Sequence, residues 1–223
     1  MRYTLITCIL ALLGFTAYAG AEDYATYTVK RVSEPVNIDG ILDEPEWKHA
    51  VESSVFLLYK DGAAARMDSH VRLLWDDTSL YVGIVMSDVD VWATITERDG
   101  KLYNEEVAEI FIDPDGDGLN YVEIEVNPLG TVMELLMSKE YTKGGKGDWA
   151  FTLNGFSAAV SVDGTVNDAA DTDMRWTVEC AIPFADLAST APAIAMPPKD
   201  GDSWRANFYR YERDRTGTFE PEL

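Results

Sequence analysis

From His70 onward the chain is cut into short apolar runs by Gly, Asp, Asn and Pro, and little in it repeats at helical period. HVRLLWD (70–76) and SLYVGIVMSD (79–88) flank an Asp-Asp-Thr turn, and VAEIFID (107–113) and NYVEIEVN (120–127) flank the loop DPDGDG. FTLNGFSAAVSVDGT (151–165), RWTVECAIPF (175–184) and SWRANFYRYER (203–213) follow. Runs of this length at this spacing predict an all-β fold, an antiparallel β-sandwich of jelly-roll type. Two segments read as short helices: DEPEWKHA (43–50), with an acidic first turn and Pro45 near its start, and PFADLA (183–188). Trp75, Trp176 and Trp204 alternate with apolar neighbours and are expected in the core.

The first residues follow a different rule. MRYTLITCILALLGFTAYAGA has one Arg, an apolar run from Leu5 to Phe15, and Ala-x-Ala patterns ending at Ala19 and Ala21. This is the pattern of a signal peptide, residues 1–21, with cleavage after Ala19 or Ala21, and it is too short in its apolar part to span a bilayer. A secreted or periplasmic protein is expected, with no membrane span, folded as one domain over 22–223. The ending TGTFEPEL (216–223) has turn chemistry but no closing strand, so that domain reads as lacking its last strand. Cys180 is the one cysteine after the leader, which leaves no intramolecular disulfide.

A formal net charge of -21 repels phosphate backbones and argues against nucleic acid as a partner. With only two histidines, His49 and His70, zinc sites and histidine-based catalysis have little material. An acidic, aromatic-rich exported domain suits neutral ligands such as glycans, or cations. A monomer is expected.

DPDGDG does not make a helix-loop-helix calcium site, because the twelfth position of such a loop would be Ile124 and both flanks are strands. A hairpin with an acidic tip remains, for which a bare Asp/Gly turn and a calcium site at Asp113, Asp115 and Asp117 fit equally. Matching the apolar faces pairs Ile110 with Val122, Phe111 with Tyr121 and Glu109 with Glu123, with Glu125 further along that face. Carboxylates set opposite one another repel, so a partner is expected between them: an arginine, a cation, or the hydroxyls of a ligand.

VNIDGILDEPEWKHA (36–50), LLWDDTSLYVGIVMSDVDVWATITERDG (73–100), YNEEVAEIFIDPDGDGLNYVEIEVNPLGTV (103–132), WTVECAIPF (176–184) and WRANFYRYER (204–213) together resemble the family 9 carbohydrate-binding modules. The resemblance runs in order along nearly the whole chain after the leader. It implies a secreted, non-catalytic sugar-binding β-sandwich that accompanies plant-polysaccharide hydrolases acting on xylan or cellulose, with structural calcium in some members. It also implies a sugar-stacking ring at Tyr103 and a hydroxyl-binding carboxylate at Glu109. Two departures stand out. Glu125 occupies the position of a family arginine, and the C-terminal segment carrying the family's second ring is missing; Arg98 and Arg210 are the candidates to replace the guanidinium.

Sugars present apolar C–H faces and a rim of hydroxyls, so their sites combine flat rings with planar polar groups. The candidate set is Trp92, Glu97, Arg98, Tyr103, Glu105, Glu106, Glu109, Glu123, Glu125 and Arg210. Two other readings use the same residues: a glycoside hydrolase with paired carboxylates drawn from Glu105, Glu106 and Glu109, and a structural or sensory domain braced by calcium.

Overall fold

The computed structural model describes residues 5–10, 25–213 and 215. The strands are β1 (Leu5–Leu10), β2 (Ala25–Arg31), β3 (Ser69–Trp75), β4 (Ser79–Ser87), β5 (Val107–Asp113), β6 (Tyr121–Val126), β7 (Val132–Met137), β8 (Gly147–Asp148), β9 (Ser157–Asp163), β10 (Arg175–Pro183) and β11 (Ser203–Tyr211). They form two five-stranded halves, β8-β7-β6-β5-β11 and β2-β3-β4-β10-β9, with β1 lying between β11 and β2. The β1–β11 and β2–β3 pairs are parallel and the other pairs antiparallel. Apart from β1, the expected leader lies outside the described residues, and so does the ending TGTFEPEL.

The halves pack face to face through the apolar half of each strand. Ala108, Ile110 and Ile112 from β5, Val122 and Ile124 from β6 and Phe208 from β11 meet Val71 and Leu73 from β3, Val82 and Ile84 from β4 and Val178 from β10. Trp75, Trp176 and Trp204 belong to the same core, as their alternation predicts, and Cys180 lies fully buried within it. A side chain buried to this degree contributes roughly 1.5–3 kcal/mol, and that total holds the two halves together.

The two predicted helices shrink. Residues 43–50 form only a 3-10 turn over Pro45–His49, because Ala50 is extended and ends it, and the second segment makes one turn, α1 (Phe184–Leu187). The 3-10 turn nevertheless fixes one whole face of the molecule. Trp47, together with Val32 and Val36, covers Leu74, Tyr81 and Ala181 on the outer side of the β3-β4-β10 half. Gly83 makes this close approach possible, since a Cβ there would sit 2.7 Å from Leu42 Cδ1 and 3.2 Å from Trp47 Cη2.

Glu179, fully buried on β10, ties the covering segment to the sheet. Its Oε1 accepts the Trp47 indole N–H at 2.9 Å, and its Oε2 accepts the backbone N–H groups of Asp39 and Gly40, each at 2.9 Å. Trp47→Phe keeps most of the packing and removes one of these donors from a buried carboxylate. The expected loss is about 1–3 kcal/mol, read as a fall of about 2–4 °C in Tm per kcal/mol by thermal melting.

Candidate functional site

The strict alternation that sends Ile110, Ile124 and Phe208 inward sends a different set outward on β5, β6 and β11. Glu109 and Phe111, then Tyr121, Glu123 and Glu125, then Tyr209 and Tyr211, share the outer face of this half. Their register differs from the one predicted. Glu109 faces Glu125, Ile110 faces Ile124, and Phe111 faces Glu123. The DPDGDG turn explains the shift. Asp113 accepts the N–H groups of Gly116 and Gly118 at 3.0 and 2.9 Å, and the loop runs on to Asn120, whose φ of 51° turns the chain into β6. A longer loop moves every partner by two residues, which keeps each side chain on its predicted face but gives Glu109 a new opposite number.

The result is a knot of three acids. Glu109, Glu123 and Glu125 are 4%, 2% and 1% exposed, and each offers a carboxylate oxygen within 4.8 Å of those of the other two. Glu109 shares hydrogen bonds with both of the others. The Tyr141 hydroxyl donates to Glu123 Oε2 at 2.7 Å, and the backbone N–H of Tyr103, in the 3-10 turn Leu102–Asn104, donates to Glu125. Glu125 Oε2 is buried without a hydrogen-bond partner.

Burial, reinforced by the charges of Glu125 and then Glu123, holds the Glu109 carboxyl well above the usual carboxylate range. Burial and the Glu123 charge push Glu125 up to about 8, and burial pushes Glu123 to about 7 despite the Tyr141 hydroxyl. Near neutral pH the group therefore shares protons among its oxygens.

Rings surround the acids. Phe111 stands edge-on to Tyr121 and to Tyr209, at 5.8 and 5.6 Å between centroids, and Tyr59 continues the row beyond Tyr209. Burial, with the Glu109 charge beside it, pushes the Tyr209 hydroxyl up to about 12. The cation at the rim is Arg213, whose guanidinium donates to the Tyr103 carbonyl, at 2.9 Å from Nε, and lies 5.3 Å over the Tyr211 ring.

Of the residues singled out in the sequence, Tyr103, Glu109, Glu123 and Glu125 come together. The others are used elsewhere. Glu105 accepts the N–H groups of Thr94 and Ile95, and Glu106 accepts that of Trp92, so both brace the loop leading to β5. The Trp92 indole donates to the Arg213 carbonyl, Glu97 is exposed in the same loop, and Arg98 pairs with Glu134. Arg210 points to the opposite face of β11, buried with Asp88 and Glu212. Neither Arg98 nor Arg210 replaces a guanidinium at Glu125. Arg213 is the residue that approaches it, and its electrostatic influence reaches Glu125.

Tyr209, Tyr211 and Tyr141 were missed. The first two were readable from the period of two in NFYRYER, which separates them from Phe208 and Arg210. Tyr141 reaches the site from a loop beyond β7 and left no local signal.

At the hairpin tip, Asp113, Asp115 and Asp117 bring carboxylate oxygens within 4.8 Å of one another. Burial pushes Asp113 up to about 6 although it accepts two backbone N–H groups, with Asp115 adding to the rise. This all-oxygen set suits a hard cation, while the Asx-type bonds already close the turn.

Residues 38–198 match the model of the carbohydrate family 9 binding domain-like family. The chain belongs to this family. As a family 9 domain it is a non-catalytic carbohydrate-binding protein. A family 9 module from Caldicellulosiruptor kristjanssonii in complex with cellotriose is 18% identical, with a TM-score of 0.55 over 84% of this chain and 77% of its own. The structure of such a module from the same organism in complex with glucose is 20% identical, with a TM-score of 0.55 over 85% and 82%. A protein from Bacteroides uniformis described as carbohydrate-binding is 18% identical, with a TM-score of 0.60 over 82% of each chain. These likenesses establish the shared sandwich fold. No curated protein matches the sequence.

The raised carboxyls set a pH dependence with a definite sign. Below about pH 4.3 both folded and unfolded chains are protonated at these groups. Between there and about 8 the unfolded chain releases protons that the folded one keeps, so stability falls as pH rises. The Tm of the ligand-free protein is expected to drop from pH 5 to 8.5, and Glu125→Gln is expected to flatten that slope and raise the Tm at pH 8.5. Equal slopes for the two proteins would show that the cluster holds no extra proton.

Proposed function

We propose that the outer face of β6, β5 and β11 binds oligosaccharides and polysaccharides of the plant cell wall, of the cellulose and xylan type. The observation that carries this reading is the cluster of buried carboxyls at Glu109, Glu123 and Glu125, lined by tyrosines. Carboxylates accept hydrogen bonds from sugar hydroxyls, and the rings of Tyr103, Phe111 and Tyr209 offer flat apolar surface to the C–H face of a pyranose. Complexes of structural neighbours with cellotriose and glucose support a glucose-built ligand.

In this reading Glu109 and Glu125 grip adjacent hydroxyls, and Tyr141 steadies Glu123. Trp92, Glu105 and Glu106 hold the loop that presents Tyr103. The chain acts outside the cytoplasm, secreted or periplasmic, as a monomer that brings a polysaccharide hydrolase to its substrate. Among the described residues no helix is long and apolar enough to cross a membrane.

Isothermal titration with cello- and xylo-oligosaccharides is expected to give saturable binding, weakened by about tenfold or more in Glu109→Gln and in Tyr103→Ala. A broad glycan array on which nothing binds would overturn the reading. Calcium at Asp113, Asp115 and Asp117 belongs to the same proposal as a brace for the hairpin. Chelation is then expected to lower Tm by several degrees, and an unchanged Tm removes calcium from the account.

A further inference from the structure

We propose that the strand position between β2 and β11, filled by β1, is an acceptor slot that in the processed protein takes an extended, uncharged strand from a partner polypeptide. The inference rests on reading residues 1–21, which include β1, as a leader that is removed. It gives the proposed hydrolase a means of attachment whose neighbours are β2 and β11 alone.

Both walls of the slot stand without β1. β11 is held on its other side by β5, through the pairs that run from Arg205 to Tyr211. β2 is held to β3 by the parallel pairs Lys30 with Leu74 and Arg31 with Trp75, and by the Val32 N–H, which donates to the Trp75 carbonyl at 2.8 Å. Tyr27 anchors the middle of β2: its hydroxyl donates to the Val51 carbonyl and accepts the Leu73 N–H at 3.2 Å. Between the walls lies a gap one strand wide. β1 spans it, pairing with all of Ala25–Lys30 on one side and with Ser203–Ala206 on the other. Its removal takes the strand partner from two facing rows of backbone N–H and C=O groups, beside Tyr27, Val29, Trp204 and Ala206 of the core. Such a row is a template for another strand, and here two rows face the same strand.

Register states what the occupant must be. Its positions opposite Val29, opposite Tyr27 and Trp204, and opposite Ala206 recur at every second residue and share the core face, so a charge there would be buried without a partner. In β1 these positions fall to Ile6, Cys8 and Leu10, within the uncharged run LITCIL. Proline is unsuited to the slot, because successive N–H groups of the occupant face one wall and then the other. A second copy is a poor source of this strand, since copies at a formal net charge of -21 repel one another. An apolar segment of a different polypeptide meets both conditions.

The test uses protein produced with its leader and exported, its N-terminus read by mass spectrometry. The probe is a synthetic peptide of residues 4–11, TLITCILA, carrying Cys8→Ser and lysines added at both ends for solubility. At about a hundredfold excess over its Kd the peptide is expected to raise Tm by at least about 5 °C. It is also expected to slow amide exchange by about tenfold or more along Ala25–Lys30 and Ser203–Ala206. The same peptide carrying Cys8→Pro and Ile9→Pro loses one donor toward each wall and is expected to do neither.

A processed protein whose Tm and exchange the peptide leaves unchanged overturns the inference. Equal effects of the proline peptide overturn it in favour of charge attraction by the added lysines. Protection on β9, at the edge of its half, in place of β2 and β11 overturns the slot in favour of pairing at any open edge. A dimer that the peptide splits into monomers overturns the partner in favour of a second copy. Retention of residues 1–21 overturns the leader reading, and this inference with it, because the chain then fills its own slot.

Discussion

The period of two along β5, β6 and β11 is the constraint on which the site rests. One half of each strand is committed to the core by Ile110, Ile112, Val122, Ile124 and Phe208, and this burial fixes the register firmly enough to hold the opposite halves in an arrangement they would not choose. Glu109, Glu123 and Glu125 would separate if the backbone let them. Because sliding by one residue would turn the core outward, the acids stay together, and their mutual repulsion is relieved by retained protons instead of movement. Folding energy gathered inside the sandwich thereby holds three carboxyls together on its other face.

Much of this is legible in the amino-acid sequence. Alternation and turn residues gave β3, β4, β5, β6, β9, β10 and β11, the core tryptophans and the face on which Glu109, Glu123 and Glu125 sit, but not β2 or β7. The exact partner of Glu109 was not, because it depends on how many residues the DPDGDG turn consumes. That number is set by Asp113 capping two glycine N–H groups and by the left-handed Asn120, which is side-chain chemistry that hydrophobic matching does not sense. A slip of two residues leaves the pattern of faces unchanged, so the sequence pattern could not reveal it.

The arginines were illegible for another reason. Arg98, Arg210 and Arg213 are equally plausible neighbours of a carboxylate when read along a line. Their fates are decided by strand face and loop path: Arg210 turns inward from β11 to Asp88, whereas Arg213 leaves the strand and reaches Tyr103. Likewise Glu105 and Glu106 resemble ligand contacts by proximity, yet they hold loop N–H groups that have no strand to pair with. Loops consume polar side chains for their own backbone, and a sequence does not announce which ones.

The covering of the opposite half-sheet by Trp47 and its neighbours has a consequence for valency. With that outer face closed by Val32, Val36 and Trp47 and locked through Glu179, recognition through a sheet falls to the other half, whose outer face Leu102 and Tyr103 cover in part. Under the proposed reading a single copy engages one ligand chain at a time through its sheets. Tighter retention on a polymer then has to come from repetition, through tandem copies or attachment to a second binding protein, where linker length and spacing set the gain.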